Sequence, residues 1–373
     1  MPLKQRCCQS ASRRDNGTVN SDTGVNLPAL RSHNAALVLN LLRAADEDGA
    51  SRLELAERTG LTPQAVSKIT ARLRDEGLAA DAGRRASTGG KPRTVLRLVP
   101  GAAHAVGLHL DRDELTAVLV DLSGVVVAAS VVPLDLGSGA EVVMEVVAGE
   151  VAALATRTVL GVGVAMPGPL DHAAGVPHRV TRFPEWDGFP LRDALARRLG
   201  LPVVLDKDTN AAALSIALSG AGGDSFAYLH LGTGLGAGLV LDGGLYRGAR
   251  TGAGEFGHQT IQLDGPVCGC GGRGCLEALC LAAVARGDLA EAARVLGAGA
   301  ANLVKLLDID RVLLGGRVVT GAAEPFVRGV RAVLEERARR GGDPAVPVSL
   351  AEGSAHPVAE GAAQLILGPV FGR

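Results

Sequence analysis

Two stretches of this chain can be laid over each other, and that duplication constrains the fold more than any single motif. They read GLHLDRDELTAVLVDLSG at 107–124 and YLHLGTGLGAGLVLDGG at 228–244. Leu-His-Leu occurs at 108–110 and again at 229–231, and an Asp follows eleven residues later in each copy, at Asp121 and Asp242. Each copy predicts strand, tight turn, strand, turn, strand. A unit of this kind cannot bury its apolar faces alone, so two copies predict a body of two related halves. Between the copies, VLGVGVAMPGPLD predicts a buried strand ending in a Pro-rich loop, PLRDALARRLG a helix, and PVVLDKDTNAAALSIALSG a strand running into a helix. After the second copy come helices over 276–307, the strand DRVLLGG, and a terminal helix from about Ala359.

Strands alternating with helices in two halves predict an α/β body of two lobes with a cleft between them. We assign it residues 104–373, with the second lobe starting near residue 221 and the C-terminal helix returning to the first. Apolar residues make up 47% of the 373, but Phe, Trp and Tyr together only 2%. The core must therefore be Val, Leu and Ala, which suits helices packed on buried sheets. The longest apolar runs, such as 125–132, are far too short to span a membrane. Residues 1–26 lack the apolar segment of a secretory signal, and the six cysteines do not form a disulfide framework. A cytoplasmic chain with no membrane partner is expected.

The net charge of −1 hides a split. Residues 1–100 carry 16 Lys/Arg against 10 Asp/Glu, and the remainder 22 against 29. A basic head on an acidic body points to a polyanionic partner for the head. Residues 1–27, rich in Ser, Asn, Arg and Gly, read as a disordered tail. An apolar helix is expected from about Asn34. SRLELAERTG follows, with Ser51 and Glu54 spaced as a capping box and Gly60 as the stop. In LTPQAVSKITARLRDEG, Thr62 caps, Pro63 takes the first helical position and Gly77 ends the helix. Val66, Ile69 and Leu73 share one face, leaving Gln64, Ser67, Lys68 and Arg72 outward. Two short strands around the basic loop of LAADAGRRASTGGKPRTVLRLV complete a winged helix-turn-helix over residues 28–99. Gln64, Ser67, Lys68 and Arg72 suit base edges and nearby phosphates of a double-stranded DNA operator. Arg84, Arg85, Lys91 and Arg93 suit phosphates or a minor groove. The bland alternative is a three-helix interaction module with a solvated basic face.

His258, Cys268, Cys270 and Cys275 stand within GHQTIQLDGPVCGCGGRGC. Four borderline-soft ligands are the number a tetrahedral structural zinc takes, and the interleaved glycines let the chain curl around an ion. Ordinary buried thiols are the alternative.

MPGPLD, KDTNAAAL, LGTGLGAGLVLDGGLYRG, AGEFGH, CGCGGRGCLEA and VLLGG occur in the order found in the ROK family (repressors, open reading frames, kinases) of the actin-like sugar kinase fold. The head resembles that of the NagC/Mlc/XylR-type regulators in the same family. This resemblance runs from about Asn34 to the C-terminus. It implies Zn2+ at His258, Cys268, Cys270 and Cys275, and a sugar held by Asp208, Glu255, His258 and Glu277. One departure is Lys207, where the family has Asn before the Asp, so Lys207 joins the candidate sugar-binding residues. A second is the short passage after Cys280, which bears on ligand choice and on subunit contacts.

Kinases of the family grip ATP phosphates with two Gly turns. The second is retained as GTGLGAG at 232–238, whereas the first reads His109-Leu110-Asp111-Arg112-Asp113. The repeat alone sets Asp111, Arg112 and Asp113 opposite Gly232, Thr233 and Gly234. Side chains there block close backbone approach to a phosphate, and each carboxylate would repel it by about 4 kcal/mol at an effective dielectric near 20. Arg112 could offset part of this. The expectation is a sugar-responsive DNA-binding regulator, a repressor of carbohydrate genes, acting as a homodimer or homotetramer. Asp208 would be a vestigial base in it, without catalytic residues. The alternatives are an active sugar kinase with an accessory head, and a ligand-blind DNA-binding protein whose body only dimerises.

Overall fold

The computed structural model describes residues 27–45, 49–87, 90–178, 180, 183–352 and 355–372; the side chains of 27–32 and 84–92 lie outside that description. The assignment of disorder to 1–27 therefore falls, apart from Leu27, outside the described residues. So do the side chains of Arg84, Arg85 and Lys91.

The head begins with α1 (Leu27–Ala44), seven residues before the expected Asn34. β1 (Ala50–Ser51), α2 (Arg52–Thr59) and α3 (Pro63–Asp75) follow. Ser51 accepts from the Glu54 amide while Glu54 accepts from that of Ser51, which makes the capping box. Gly60 ends α2 at φ 69°. Thr62 caps α3 through the Ala65 amide. β2 (Ala79–Ser87) and β3 (Gly90–Leu98) form the wing, and β1 adds a third strand against β3 that two residues were too few to signal.

The first lobe follows as β4 (His104–Leu110), β5 (Glu114–Asp121), β6 (Val126–Pro133), α4 (Ala140–Leu154), β7 (Val159–Met166), β8 (Leu170–Asp171), β9 (Val176–Pro177), α5 (Leu191–Leu199), β10 (Val203–Lys207) and α6 (Asp208–Ser219). The second holds β11 (Phe226–Leu231), β12 (Leu235–Leu241), β13 (Gly244–Leu245), α7 (Leu276–Ala285), α8 (Leu289–Leu307), β14 (Arg311–Gly315), α9 (Arg317–Gly321), α10 (Ala323–Gly341) and β15 (Val348–Leu350). The duplication extends to the whole sheet. The orders are β6-β5-β4-β7-β10 and β13-β12-β11-β14-β15, each with two antiparallel pairings followed by two parallel ones.

α11 (Pro357–Leu367) returns across the first-lobe sheet. Glycine lets it come close: a Cβ on Gly107 would lie 1.9 Å from the Ala359 carbonyl oxygen, and one on Gly163 would lie 1.8 Å from that of Ala362. The far end of α11 reaches the head. Phe371 is buried in one core with Leu39, Leu42 and Leu96, Asn40 Nδ2 donates to its carbonyl at 2.7 Å, and the Arg43 guanidinium lies over its ring at 4.9 Å. Among the described residues, no helix is long and apolar enough to cross a membrane.

Candidate functional site

Three surfaces carry chemistry. On the head, Gln64, Ser67, Lys68 and Arg72 are all exposed along α3, while Val66 and Leu73 are buried beneath them. Arg93 is exposed on β3, and the backbones of Arg84 and Arg85 pair with Thr94 and Arg93.

The Cys cluster closes as a compact group. His258 ends a short 3-10 turn, Cys275 caps the start of α7, and Cys268 and Cys270 stand on the loop between. The four donor atoms lie within 4.8 Å of one another. Cys268 Sγ is 3.7 Å from His258 Nδ1, and Cys270 Sγ is 3.7 Å from Cys275 Sγ. Gly274 (φ 62°) is required by close approach, since a Cβ there would fall 1.5 Å from the Gln262 carbonyl oxygen. This group could hold a metal ion. Because Nδ1 of His258 faces sulfur, its Nε2 is the nitrogen left for the neighbouring cavity.

That cavity, about 80 Å³, lies between the lobes. Lys207, Asp208, Glu255, His258 and Glu277 all line it, together with Arg112. Asp208 opens α6 and accepts from the Thr209 amide at 2.6 Å. Burial pushes its carboxyl up to about 6, against the pull of His109 and Lys207, with Asp111 adding to the rise. Glu277 accepts from the Leu235 amide at 2.8 Å. Lys207 is buried. It donates to the Ala253 carbonyl, and at 3.1 Å to Glu255 Oε1. The departure at this position thus fixes the very carboxylate expected to meet a sugar hydroxyl.

The first turn holds a residue the sequence reading missed. Arg317, immediately after the VLLGG strand, reaches across the cleft to Asp111 Oδ2 at 2.7 Å and to Asp113 Oδ1 at 3.0 Å. Arg317 does most of the neutralising, its hydrogen bonds holding Asp113 below the ordinary carboxylate range, while the charge of Arg112 adds a smaller pull. The pairing spans 204–206 residues and left no local signal. Arg112 runs the other way, its NH1 3.5 Å from the Thr233 carbonyl. Behind the turns, a cavity of about 430 Å³ is lined by His109, Tyr228, His230 and Arg317 among others. Burial holds both histidines below the ordinary imidazole range.

A winged helix-turn-helix joined to a duplicated, two-lobed α/β body defines a DNA-binding head on an actin-like sugar-kinase fold. Residues 105–286 match the ROK family, and residues 37–79 match the winged helix-turn-helix DNA-binding domain. The xylose repressor of Caldicellulosiruptor bescii is 26% identical over 357 residues, covering 83% of this chain and 88% of that protein. A ROK hexokinase from Thermus thermophilus is 33% identical with a TM-score of 0.57, covering 70% of this chain and 96% of its own. The structure of a ROK family transcriptional regulator, a homologue of the Escherichia coli MLC protein, has a TM-score of 0.75 at 23% identity and covers 92% of this chain and 97% of its own; it speaks to the fold. The chain belongs to the ROK family.

Proposed function

We propose that this protein is a sugar-responsive DNA-binding transcriptional regulator, a repressor of carbohydrate genes, whose kinase-like body binds a sugar without phosphorylating it. The observation that carries this reading is the first turn: Asp111 and Asp113 are tied to Arg317 where a phosphate-gripping turn needs bare backbone. The charge repulsion expected from the sequence is largely neutralised by Arg317, so occupied space remains the argument. Phosphoryl transfer rests on positioning and charge neutralisation of the phosphates, and a turn filled by side chains offers neither. The kinase alternative draws on two observations, the Gly232–Gly236 turn and the identity to the Thermus hexokinase. An ATPase assay coupled to a panel of hexoses and pentoses separates the two readings. The expected result is no sugar-dependent turnover, and turnover of about 1 s⁻¹ or more, within the ordinary enzyme range, would return the protein to the kinases.

In this reading Asp208, Glu255, His258 and Glu277 accept or donate hydrogen bonds to sugar hydroxyls, and Lys207 sets the position of Glu255. Protonated Asp208 is a weaker acceptor than the carboxylate. Its raised value means the folded protein takes up that proton as pH falls through about 6, so sugar affinity should drop on going from pH 7.5 to pH 5.5. A flat calorimetric titration over that interval would remove Asp208 from the contact set. Its ionisation also costs the folded state stability, because the unfolded carboxyl is already charged between about 4 and 6.

The His258, Cys268, Cys270 and Cys275 group fits a structural Zn2+. Tetrahedral ligands at zinc distances stand about 3.5–3.8 Å apart, and two of the pairs are at 3.7 Å. The ion would fix the loop that carries His258 and the start of the helix that carries Glu277.

Two heads are needed to read an operator, because one winged module contacts too few base pairs, so a homodimer or homotetramer is the working assembly. On DNA from upstream of its own gene, gel-shift affinity should fall by about a thousandfold between roughly 50 and 200 mM salt if six or more phosphates are contacted. Replacing Lys68 and Arg72 with Ala should flatten that dependence together with changes at Arg84, Arg85, Lys91 and Arg93. An unchanged salt slope in the combined variant would point to an interaction module instead.

A further inference from the structure

The charges around the small cavity do not cancel evenly. Asp111 is held by Arg317, Glu255 by Lys207, and Glu277 by the Leu235 amide. Asp208 accepts from Thr209 and is half neutralised near pH 6. Arg112 has no such partner. Among the described residues its guanidinium makes no ion pair and one hydrogen bond, the 3.5 Å contact to the Thr233 carbonyl, and its Nε is buried without a hydrogen-bond partner. A buried guanidinium N–H left unpaired costs about 1–3 kcal/mol or more, and native structures seldom leave one.

The guanidinium lies against the second turn, since a Cβ on Gly234 would be 3.5 Å from its NH2 and 3.1 Å from Glu277 Oε2. In that turn the Gly232 amide is bonded to the Gly234 carbonyl and the Leu235 amide to Glu277, whereas the amides of Thr233 and Gly234 donate no hydrogen bond among the described residues. Unpaired backbone N–H groups on a turn beside a guanidinium fork make an anion-binding concavity. Glu277 stands at its edge and limits it to one anionic group.

We propose that the effector is a monosaccharide carrying its own acidic group, a carboxylate or a phosphate monoester, and that Arg112 with the Thr233 and Gly234 amides receives it. This rests on the reading of the cavity as a sugar site. Its hydroxyls would face Asp208, Glu255 and His258, and its acid the Arg112 guanidinium where it lines the cavity. Pairing of Asp111 and Asp113 with Arg317 is what leaves Arg112 available, since both nearby acids are engaged elsewhere.

The test is isothermal titration of the full-length protein at constant ionic strength with matched probes: D-glucose, D-glucuronate, D-glucose 6-phosphate, D-xylose, D-xylonate and inorganic phosphate. At least one acid-bearing sugar should bind about tenfold or more tighter than its neutral parent, the worth of one charge-assisted hydrogen bond. That ratio should shrink as NaCl is raised, and it should fall to about one in Arg112→Gln, with Arg112→Lys keeping part of it. Circular dichroism and thermal unfolding without ligand confirm that each variant is folded, and the salt series on the unmodified protein decides the matter if one is not. Neutral sugars binding as tightly as their acids would overturn the inference while leaving the sugar site intact, as would an advantage that survives in folded Arg112→Gln. Phosphate alone binding as tightly as the sugar acids would make this a free-anion site and overturn it too. Silence from every sugar, neutral and acidic, would overturn the sugar site itself and this inference with it.

Discussion

Unmodified protein should leave purification with one equivalent of zinc, and Cys270→Ser protein should leave without it and unfold roughly 8–16 °C lower. The estimate takes about 4 kcal/mol for loss of a structural metal and the usual 2–4 °C per kcal/mol for a body of this size. Cys270 is the exposed member of the set, so replacing it opens no cavity in the core. What goes with the metal is the crosslink from His258, beside β12, to Cys275 at the head of α7. Without it the loop is held by its backbone hydrogen bonds, such as those from the Ile261 amide to Gly274 and from the Leu276 amide to Gln259, and by the isolated pairings of Thr260 with Cys275 and Val267 with Arg273. His258 and Glu277 should then lose their fixed positions, so sugar binding should weaken by more than the stability loss alone explains. Cys280→Ala is the control. That thiol is buried beside the Ala292 carbonyl, outside the cluster, and the variant should keep its zinc while losing some packing. Full zinc content in Cys270→Ser, or an unfolding temperature no lower than that of Cys280→Ala, would rule out a tetrahedral site built from these four residues.

How far the sequence reached follows from the range of each interaction. The capping box at Ser51 and Glu54, the proline and threonine opening α3, and the four metal donors each lie within twenty residues, and their spacing states their geometry. The internal repeat carried further, because residues matched at 108–110 and 229–231 had to occupy matching strands. The sheets proved duplicated even in β7, β10, β14 and β15, where no sequence likeness showed. What the chain did not announce were pairings between distant segments: Arg317 with Asp111 and Asp113, and Lys207 with Glu255. Arg112 was the nearest cation to the acids of the first turn, but a side chain between two acids in a tight turn points away from them. Lys207 was read as a contact for ligand, and its ammonium turned first to a protein carboxylate. A side chain's partner is set by tertiary approach, which local spacing does not encode.

A close backbone approach between the first-lobe sheet and α11 gives the second large effect. Gly163→Val places a β-branched residue mid-strand, where intrinsic preference favours it, so any cost measures the neighbour alone. That neighbour is α11: a Cβ at 163 would stand 1.8 Å from the Ala362 carbonyl oxygen and 2.5 Å from its carbon. Backbone cannot rotate away as a side chain can, so the whole helix must shift. α11 is pinned on its other side as well, because a Cβ on Gly361 would meet the Ala211 carbonyl oxygen at 1.7 Å. Overpacking typically costs about 1–3 kcal/mol, and a clash with backbone on a helix held from two sides belongs at or beyond the upper end. Unfolding should move down by at least roughly 6–12 °C, with poor soluble yield. Gly101→Ala, where nothing lies within 4 Å of the new Cβ and φ is not positive, should be neutral. The consequence extends to the head, since the segment after α11 carries Phe371 to Asn40 and Arg43 of α1. The N-terminal end of the same helix lines the cavity behind the two turns, so one rigid element joins the cleft to the DNA-binding head. A displaced α11 should therefore loosen the head and weaken DNA binding even at temperatures where the lobes stay folded. Equal unfolding temperatures for Gly163→Val and Gly101→Ala would mean that α11 does not lie on this sheet and cannot be that link.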